Sequence, residues 1–144
     1  MHKQIITSED LKALFNKPYG DSAPTKEKWS EFYEKDVKFI DPTQEKNGLV
    51  EYIQAQDNLI KRCEDVFLVT HAVVVSGEYG FVEWTMGLKL LGKEFIYPGT
   101  TRLVFGETGK IKEHRDYFDF CGPTFGPVPI LGFFIRWLYS RFVS

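Results

Sequence analysis

Four stretches between residues 66 and 120 decide the fold: Val66–Gly77 VFLVTHAVVVSG, Tyr79–Gly92 YGFVEWTMGLKLLG, Glu94–Gly106 EFIYPGTTRLVFG and Lys110–Phe120 KIKEHRDYFDF. Each is rich in β-branched and aromatic residues, and each is separated from the next by a short glycine-containing turn. Successive long strands with short connections form an antiparallel meander. Glycines inside the runs, at Gly87 and Gly99, let a long sheet bend into a cone.

Upstream the pattern is helical. Thr7-Ser8-Glu9-Asp10 has the oxygen side chain and following acids of a helix start, and Leu11, Leu14 and Phe15 share one face of that helix. Pro24-Thr25 opens a second helix, in which Trp29, Phe32 and Tyr33 make an i, i+3, i+4 stripe. Asp36–Asp41 predicts a short strand stopped by Pro42, TQEKNG a polar turn, and Leu49–Arg62 a third helix. Helices followed by a meander predict an α+β domain in which the helices cover one face of the sheet.

With 144 residues the chain is one domain long and large enough for a real core. Its net charge of −2 shows no basic stripe, which argues against a nucleic-acid partner. Cys63 and Cys121 form neither a CxxC motif nor a disulfide framework. The start MHKQIITSEDLKALF lacks the apolar run of a signal peptide, so a cytoplasmic location is expected. Thirteen Phe, seven Tyr and three Trp supply broad apolar faces for core, pocket or interface.

The order helix, helix, strand ending in Asp41-Pro42, helix, meander resembles the nuclear transport factor 2-like superfamily. The segment from Gly109 to Asp119, GKIKEHRDYFD, is similar to the closing strand of its SnoaL-like and epoxide-hydrolase-like members. The resemblance covers roughly residues 7–120. It implies a cystatin-like cone, a curved antiparallel sheet wrapped by N-terminal helices, over residues 1–121. Residues 122–144 then form a Gly/Pro-rich connector and a C-terminal helical extension. The fold hosts unrelated chemistries, so the reaction has to be read residue by residue.

Limonene epoxide hydrolase places a Tyr and an Asn where this chain has Phe39 and Asp41, and an Arg and an Asp where it has Trp84 and Met86; only Asp116 matches that enzyme's charge relay. The general base of ketosteroid isomerase, an Asp before a Pro, matches Asp41-Pro42, while its oxyanion-hole Asp falls near Thr101. SnoaL-like cyclases carry an acid/base carboxylate on the closing strand, where Asp116 and Asp119 lie. Strand alternation puts His114, Asp116 and Phe118 on one face and Asp119 on the other. The resemblance, with Gly109 aligned to the same turn glycine of ketosteroid isomerase, implies that the first face lines the pocket and that Asp119 points to the outer face or the interface unless a bulge shifts the phase.

The resemblance therefore implies a small-molecule enzyme of isomerase, cyclase or hydrolase type acting on an apolar substrate by carboxylate general acid/base chemistry. Asp41, His114 and Asp116 are its candidate catalytic residues, and Tyr33, Tyr52, Trp84, Tyr97, Thr101 and Phe118 its candidate substrate contacts. No cofactor is required, and no His or Cys spacing supports a metal. Each assignment has a plainer counterpart: Asp41 as a turn cap before proline, His114 and Asp116 as a satisfied polar pair, the aromatics as core, and the domain as a binding module or dimer scaffold. His71, among apolar neighbours, is expected to be solvated or hydrogen-bonded rather than catalytic.

Residues 130–143, ILGFFIRWLYSRFV, form an expected helix too short and too charged to span a bilayer. Its aromatics are expected to plug the cone or to pack across a homodimer, with peripheral membrane contact as the weaker alternative.

Overall fold

The computed structural model describes residues 4–143; Met1–Lys3 of the chain start discussed above, and Ser144, lie outside the described residues. Helix α1 (Ser8–Phe15) is followed by α2 (Lys26–Phe32), strands β1 (Tyr33–Asp41) and β2 (Gln44–Asn47), and helix α3 (Leu49–Arg62). Strands β3 (Asp65–Ser76), β4 (Tyr79–Leu90), β5 (Lys93–Phe105) and β6 (Ile111–Phe118) come next, and helices α4 (Cys121–Phe125) and α5 (Pro129–Val143) end the chain.

The start of α1 is a reciprocal cap. The Asp10 backbone N–H donates to Thr7 Oγ1 at 3.1 Å, and the Thr7 backbone N–H donates to the Asp10 carboxylate at 2.9 Å. Those bonds from Thr7 hold the Asp10 carboxyl below its ordinary range. α1 then packs Leu11, Leu14 and Phe15 against β3. α3 begins after Gly48, whose φ of 92° belongs to the region that favours glycine, and buries Leu49 and Tyr52.

The six strands form one curved sheet in the order β2-β1-β6-β5-β4-β3. The meander β3-β4-β5-β6 is antiparallel throughout, as its sequence predicts. One pairing departs from an all-antiparallel sheet: β1 lies parallel to β6, with Phe39 opposite His114. A parallel neighbour is possible because α3 and four strands separate the two in sequence, so no hairpin joins them.

Three local expectations change. Tyr33 begins β1 instead of ending the helical stripe, because its side chain is needed inside the sheet. The polar segment Gln44–Asn47 is an edge strand paired to β1 rather than a turn, held by backbone pairing and an exposed Lys38–Glu45 ion pair at 3.4 Å. Gly87 and Gly99 act less as hinges than as seats for rings: a Cβ at Gly87 would overlap Phe67, and one at Gly99 would overlap the Trp84 indole. The register shifts fall elsewhere, between Thr70 and Ala72 and between Val104 and Phe105.

The core lies between the helices and the inner face of the sheet. Leu11, Val37, Val82, Leu103 and Ile111 are fully buried there. The last helix behaves differently. Within the chain α5 packs on α4 and buries only Gly132; Ile130, Phe133 and Phe142 remain 83%, 68% and 80% exposed. It does not plug the cone, since no part of the inner sheet surface covers these side chains. Among the described residues no helix is long and apolar enough to cross a membrane.

Candidate functional site

A cavity of about 750 Å³ opens between the inner sheet face and α3, lined by side chains from β1, β4, β5 and β6 and from helices α1 and α3. The meander's alternation decides what enters it. In β6, His114, Asp116 and Phe118 turn inward, and in β5 Tyr97 and Thr101 do the same, with Thr101 directly opposite Asp116. Trp84 of β4 faces them across Gly99.

These side chains form a continuous hydrogen-bonded chain. Trp84 Nε1–H donates to Thr101 Oγ1 at 2.8 Å, and the Thr101 hydroxyl donates to Asp116 Oδ1 at 2.5 Å. His114 Nε2 lies 2.7 Å from the same Oδ1, and His114 Nδ1 lies 2.7 Å from the Tyr33 hydroxyl. A carboxylate oxygen accepts, so Nε2 is the imidazole nitrogen that donates to Asp116; in the neutral imidazole Nδ1 then accepts from the Tyr33 hydroxyl. Burial, with the adjacent Tyr52 hydroxyl second, keeps the Tyr33 hydroxyl protonated well above its ordinary range. Every donor in the chain thus has an acceptor of the right kind.

His114 is 2% exposed and packed among the rings of Phe15, Tyr33, Phe39 and Tyr52, with centroids 5.1–5.8 Å away. Asp116 is different. Its Oδ1 is filled by His114 and Thr101, while Oδ2 has no hydrogen-bond partner among the described residues, and the side chain lines the cavity at 16% exposure. The result is a fixed carboxylate with one oxygen turned to the space a ligand would fill.

Tyr52 also lines the cavity. Burial first, and the Asp116 charge second, push its hydroxyl far above the ordinary phenol range, so it is a donor at any physiological pH. Tyr33 and Gln56 lie beside that hydroxyl. Trp84, Tyr97 and Phe118 form an aromatic wall, with Phe118 5.9 Å from each of the other two rings. Phe120 stacks on Tyr97 and is 38% exposed on its other side, which places it at the cavity rim.

Asp41 also borders the cavity, but its carboxylate is engaged. Oδ1 accepts from Thr43 N at 2.6 Å, Thr43 Oγ1 at 2.7 Å and Gln44 N at 3.0 Å, the bonding of a residue that closes the turn between β1 and β2. Asp119 is turned from the cavity and accepts from Tyr139 at 2.9 Å and from the Gly122 backbone at 3.1 Å. His71 is exposed on the outer face and bonded to Thr85 at 2.7 Å. Among the described residues no group of three His, Cys, Asp or Glu side chains lies together as a metal site would require.

Sequence spacing misses Phe120 and Gln56, and it misplaces Tyr33, which bonds to His114 and does not line the cavity. Tyr33 is readable as an aromatic of the wall but not as the partner of a histidine 81 residues away. Phe120 has no pattern that sets it apart from the connector it precedes. Gln56 could have been found from its i, i+4 spacing to Tyr52 on α3.

A SnoaL-like domain profile matches residues 21–114, about two thirds of the chain. The chain belongs to the SnoaL-like family. The match ends at His114, so Asp116 and α5 lie beyond it. Among solved structures the SnoaL-like fold recurs in a protein from Agrobacterium tumefaciens named as an isomerase of this family: TM-score 0.61 at 14% identity, covering 76% of this chain and 91% of that one. It recurs in a protein of ketosteroid isomerase-like fold from Catenulispora acidiphila, in complex with trimethylamine, with TM-score 0.60, 16% identity and coverage of 68% and 78%. A Jannaschia protein named as a SnoaL-like polyketide cyclase gives TM-score 0.56 at 19% identity, covering 65% and 72%. At these identities the likeness concerns the fold. None of the curated proteins matches this chain.

Proposed function

We propose that this SnoaL-like domain is a cofactor-independent enzyme that moves a proton on an apolar, carbonyl-bearing small molecule, as an isomerase or cyclase does. The observation that carries this reading is the open Oδ2 of Asp116. A carboxylate held at one oxygen by two donors and free at the other is oriented for proton exchange with a ligand. Asp116 Oδ2 takes a proton from the carbon beside the carbonyl. The electron pair moves onto the carbonyl oxygen, where the Tyr52 hydroxyl donates to the developing oxyanion. The proton then returns from Asp116 to a different carbon. His114 and Thr101 position the carboxylate, and Tyr33 holds the imidazole in the tautomer that donates to it. Trp84, Tyr97 and Phe118 hold the apolar body of the substrate. The half-buried Cys63 and exposed Cys121 are both free thiols, in keeping with a reducing, cytoplasmic setting.

A second reading has its own support. Asp41 is committed to its turn, so a two-carboxylate mechanism lacks one member, and the same cavity suits a binding module. Asp116→Asn separates the two. The amide keeps the shape but cannot exchange a proton at neutral pH. With enolisable ketones screened as substrates, the substitution should lower turnover by about 10²–10⁴-fold while leaving ligand affinity nearly unchanged. A wild-type protein that binds such ketones and converts none of them supports the binding module instead.

A further inference from the structure

The surface of α5 is organised rather than merely apolar. At 3.6 residues per turn, the apolar residues Trp137, Ile130, Phe134, Leu131 and Phe142 lie around an arc of roughly 140°, with Arg141 between Ile130 and Phe134. All five apolar residues are exposed. The opposite side makes the contacts with α4: Gly132 packs against the Gly126 carbonyl, and Arg136 Nη1 donates to that same oxygen at 3.0 Å. The arc is therefore turned away from the domain and has no partner outside α5 among the described residues.

Three observations on this helix select what covers it. Its fifteen residues span roughly 22 Å at 1.5 Å per residue, short of the ~30 Å of a hydrocarbon core, so it lies along a bilayer rather than across one. From Phe120 to Val143 the charged residues are Arg136 and Arg141, with no carboxylate among them, a complement to anionic headgroups. Trp137 and Tyr139 combine an apolar ring with a polar end, which suits the boundary between headgroups and acyl chains. A fourth observation concerns position: Phe120 at the cavity rim leads directly into α4, and Thr124 of α4 is hydrogen-bonded to Tyr97 of the cavity wall at 2.7 Å.

We propose that α5 docks on an anionic lipid surface, with the arc of Ile130, Phe134 and Trp137 among the acyl chains and Arg141, near the end of the helix, reaching from that arc back to headgroup phosphates, and holds the cavity rim at Phe120 close to that surface. The docking stands independently of catalysis. Delivery of an apolar substrate from the bilayer to the cavity rests on the acid/base reading of Asp116.

The full chain can be tested by co-sedimentation with vesicles of phosphatidylcholine alone and of phosphatidylcholine mixed with phosphatidylglycerol. Trp29 and Trp84 are buried, so a blue shift of tryptophan emission reports Trp137 entering the lipid. The mixed vesicles should bind the protein and shift its emission. Neutralising Arg141, by Arg141→Gln, should weaken that binding by roughly fivefold. Trp137→Glu, at an exposed position, should abolish co-sedimentation with the fold intact by circular dichroism. Asp116→Asn should leave vesicle binding unchanged, so loss of turnover and loss of docking are read separately. The proposal is overturned if the protein stays in the supernatant with both vesicle types, or if it binds neutral and anionic vesicles equally. It is also overturned if a concentration-dependent dimer that Trp137→Glu dissolves is found without vesicle binding, since a second copy then covers the arc.

Discussion

Trp84 and Trp137 mark the two extremes of this molecule. Trp84 is 4% exposed, its ring seated over Gly99 and its N–H bonded to Thr101. Trp137 is 49% exposed and touches Phe134, another exposed ring, at 6.0 Å between centroids. The same side chain thus serves as a fixed part of a polar relay in one place and as an unpartnered apolar surface in the other. In the relay from Trp84 to Tyr33 each donor finds its acceptor within the chain. The last helix instead leaves its apolar arc exposed among the described residues. Substitutions in the first region should read out as stability and turnover; substitutions in the second should read out as association.

The sharpest way to break that contrast is His114→Leu. It leaves Asp116 Oδ1 with one donor fewer and the Tyr33 hydroxyl without its acceptor in a closed site, and should cost roughly 2–4 kcal/mol in denaturant unfolding. An effect of a few tenths of a kcal/mol would mean that the relay is not the tight structure described.

Tyr33→Phe is the milder probe, expected to cost about 1–2 kcal/mol, and it adds a pH signature. Burial raises the folded-state values of Tyr33 and Tyr52 above the ordinary phenol value. The stability this linkage confers is therefore complete below about pH 10 and is lost as pH rises above it, where only the unfolded chain ionises these phenols. The wild type should lose stability steeply on the alkaline side, and Tyr33→Phe less steeply, because one fewer proton is released on unfolding. Equal alkaline slopes in pH-dependent denaturation would place the Tyr33 hydroxyl in contact with solvent.

The smallest expected effect belongs to the other region. Deleting residues from Gly126 onward removes one buried residue, Gly132, and otherwise exposed contacts with α4 and Asp119, so the unfolding free energy should change by no more than about 0.5 kcal/mol. Vesicle binding should disappear with the deleted helix. A large drop in melting temperature would show that α5 supports the domain after all.

Much of this was legible from the residues. The Leu49–Arg62 helix, the antiparallel meander and the inward phase of His114 and Asp116 follow from local pattern and from the turn at Gly109. Tyr33 was harder, because its spacing to Trp29 suits a helix; only a contact far along the chain tells that it opens a strand. Gln44–Asn47 was hidden for the opposite reason, since an edge strand held by backbone pairing needs no apolar alternation. Asp41 is the instructive case. Asp-Pro is equally the mark of a catalytic carboxylate on this scaffold and of a turn cap, and only the donors gathered around Oδ1 separate the two uses. The exposure of α5 could not be read at all, because an apolar helix in sequence does not say whether its cover belongs to the same chain.

The parallel pairing of β1 with β6 has a consequence for how the protein is made. Tyr33 and His114 stand 81 residues apart, and their strands meet only after the whole meander has been laid down. During synthesis β1 and its neighbouring helices leave the ribosome well before the strand that completes them. Contacts of such sequence separation close late and slowly, because the loop entropy must be overcome before any pairing rewards it. The relay that positions Asp116 cannot form until this last closure, so its appearance marks the end of folding, and chains cut short before residue 111 would hold half of a site.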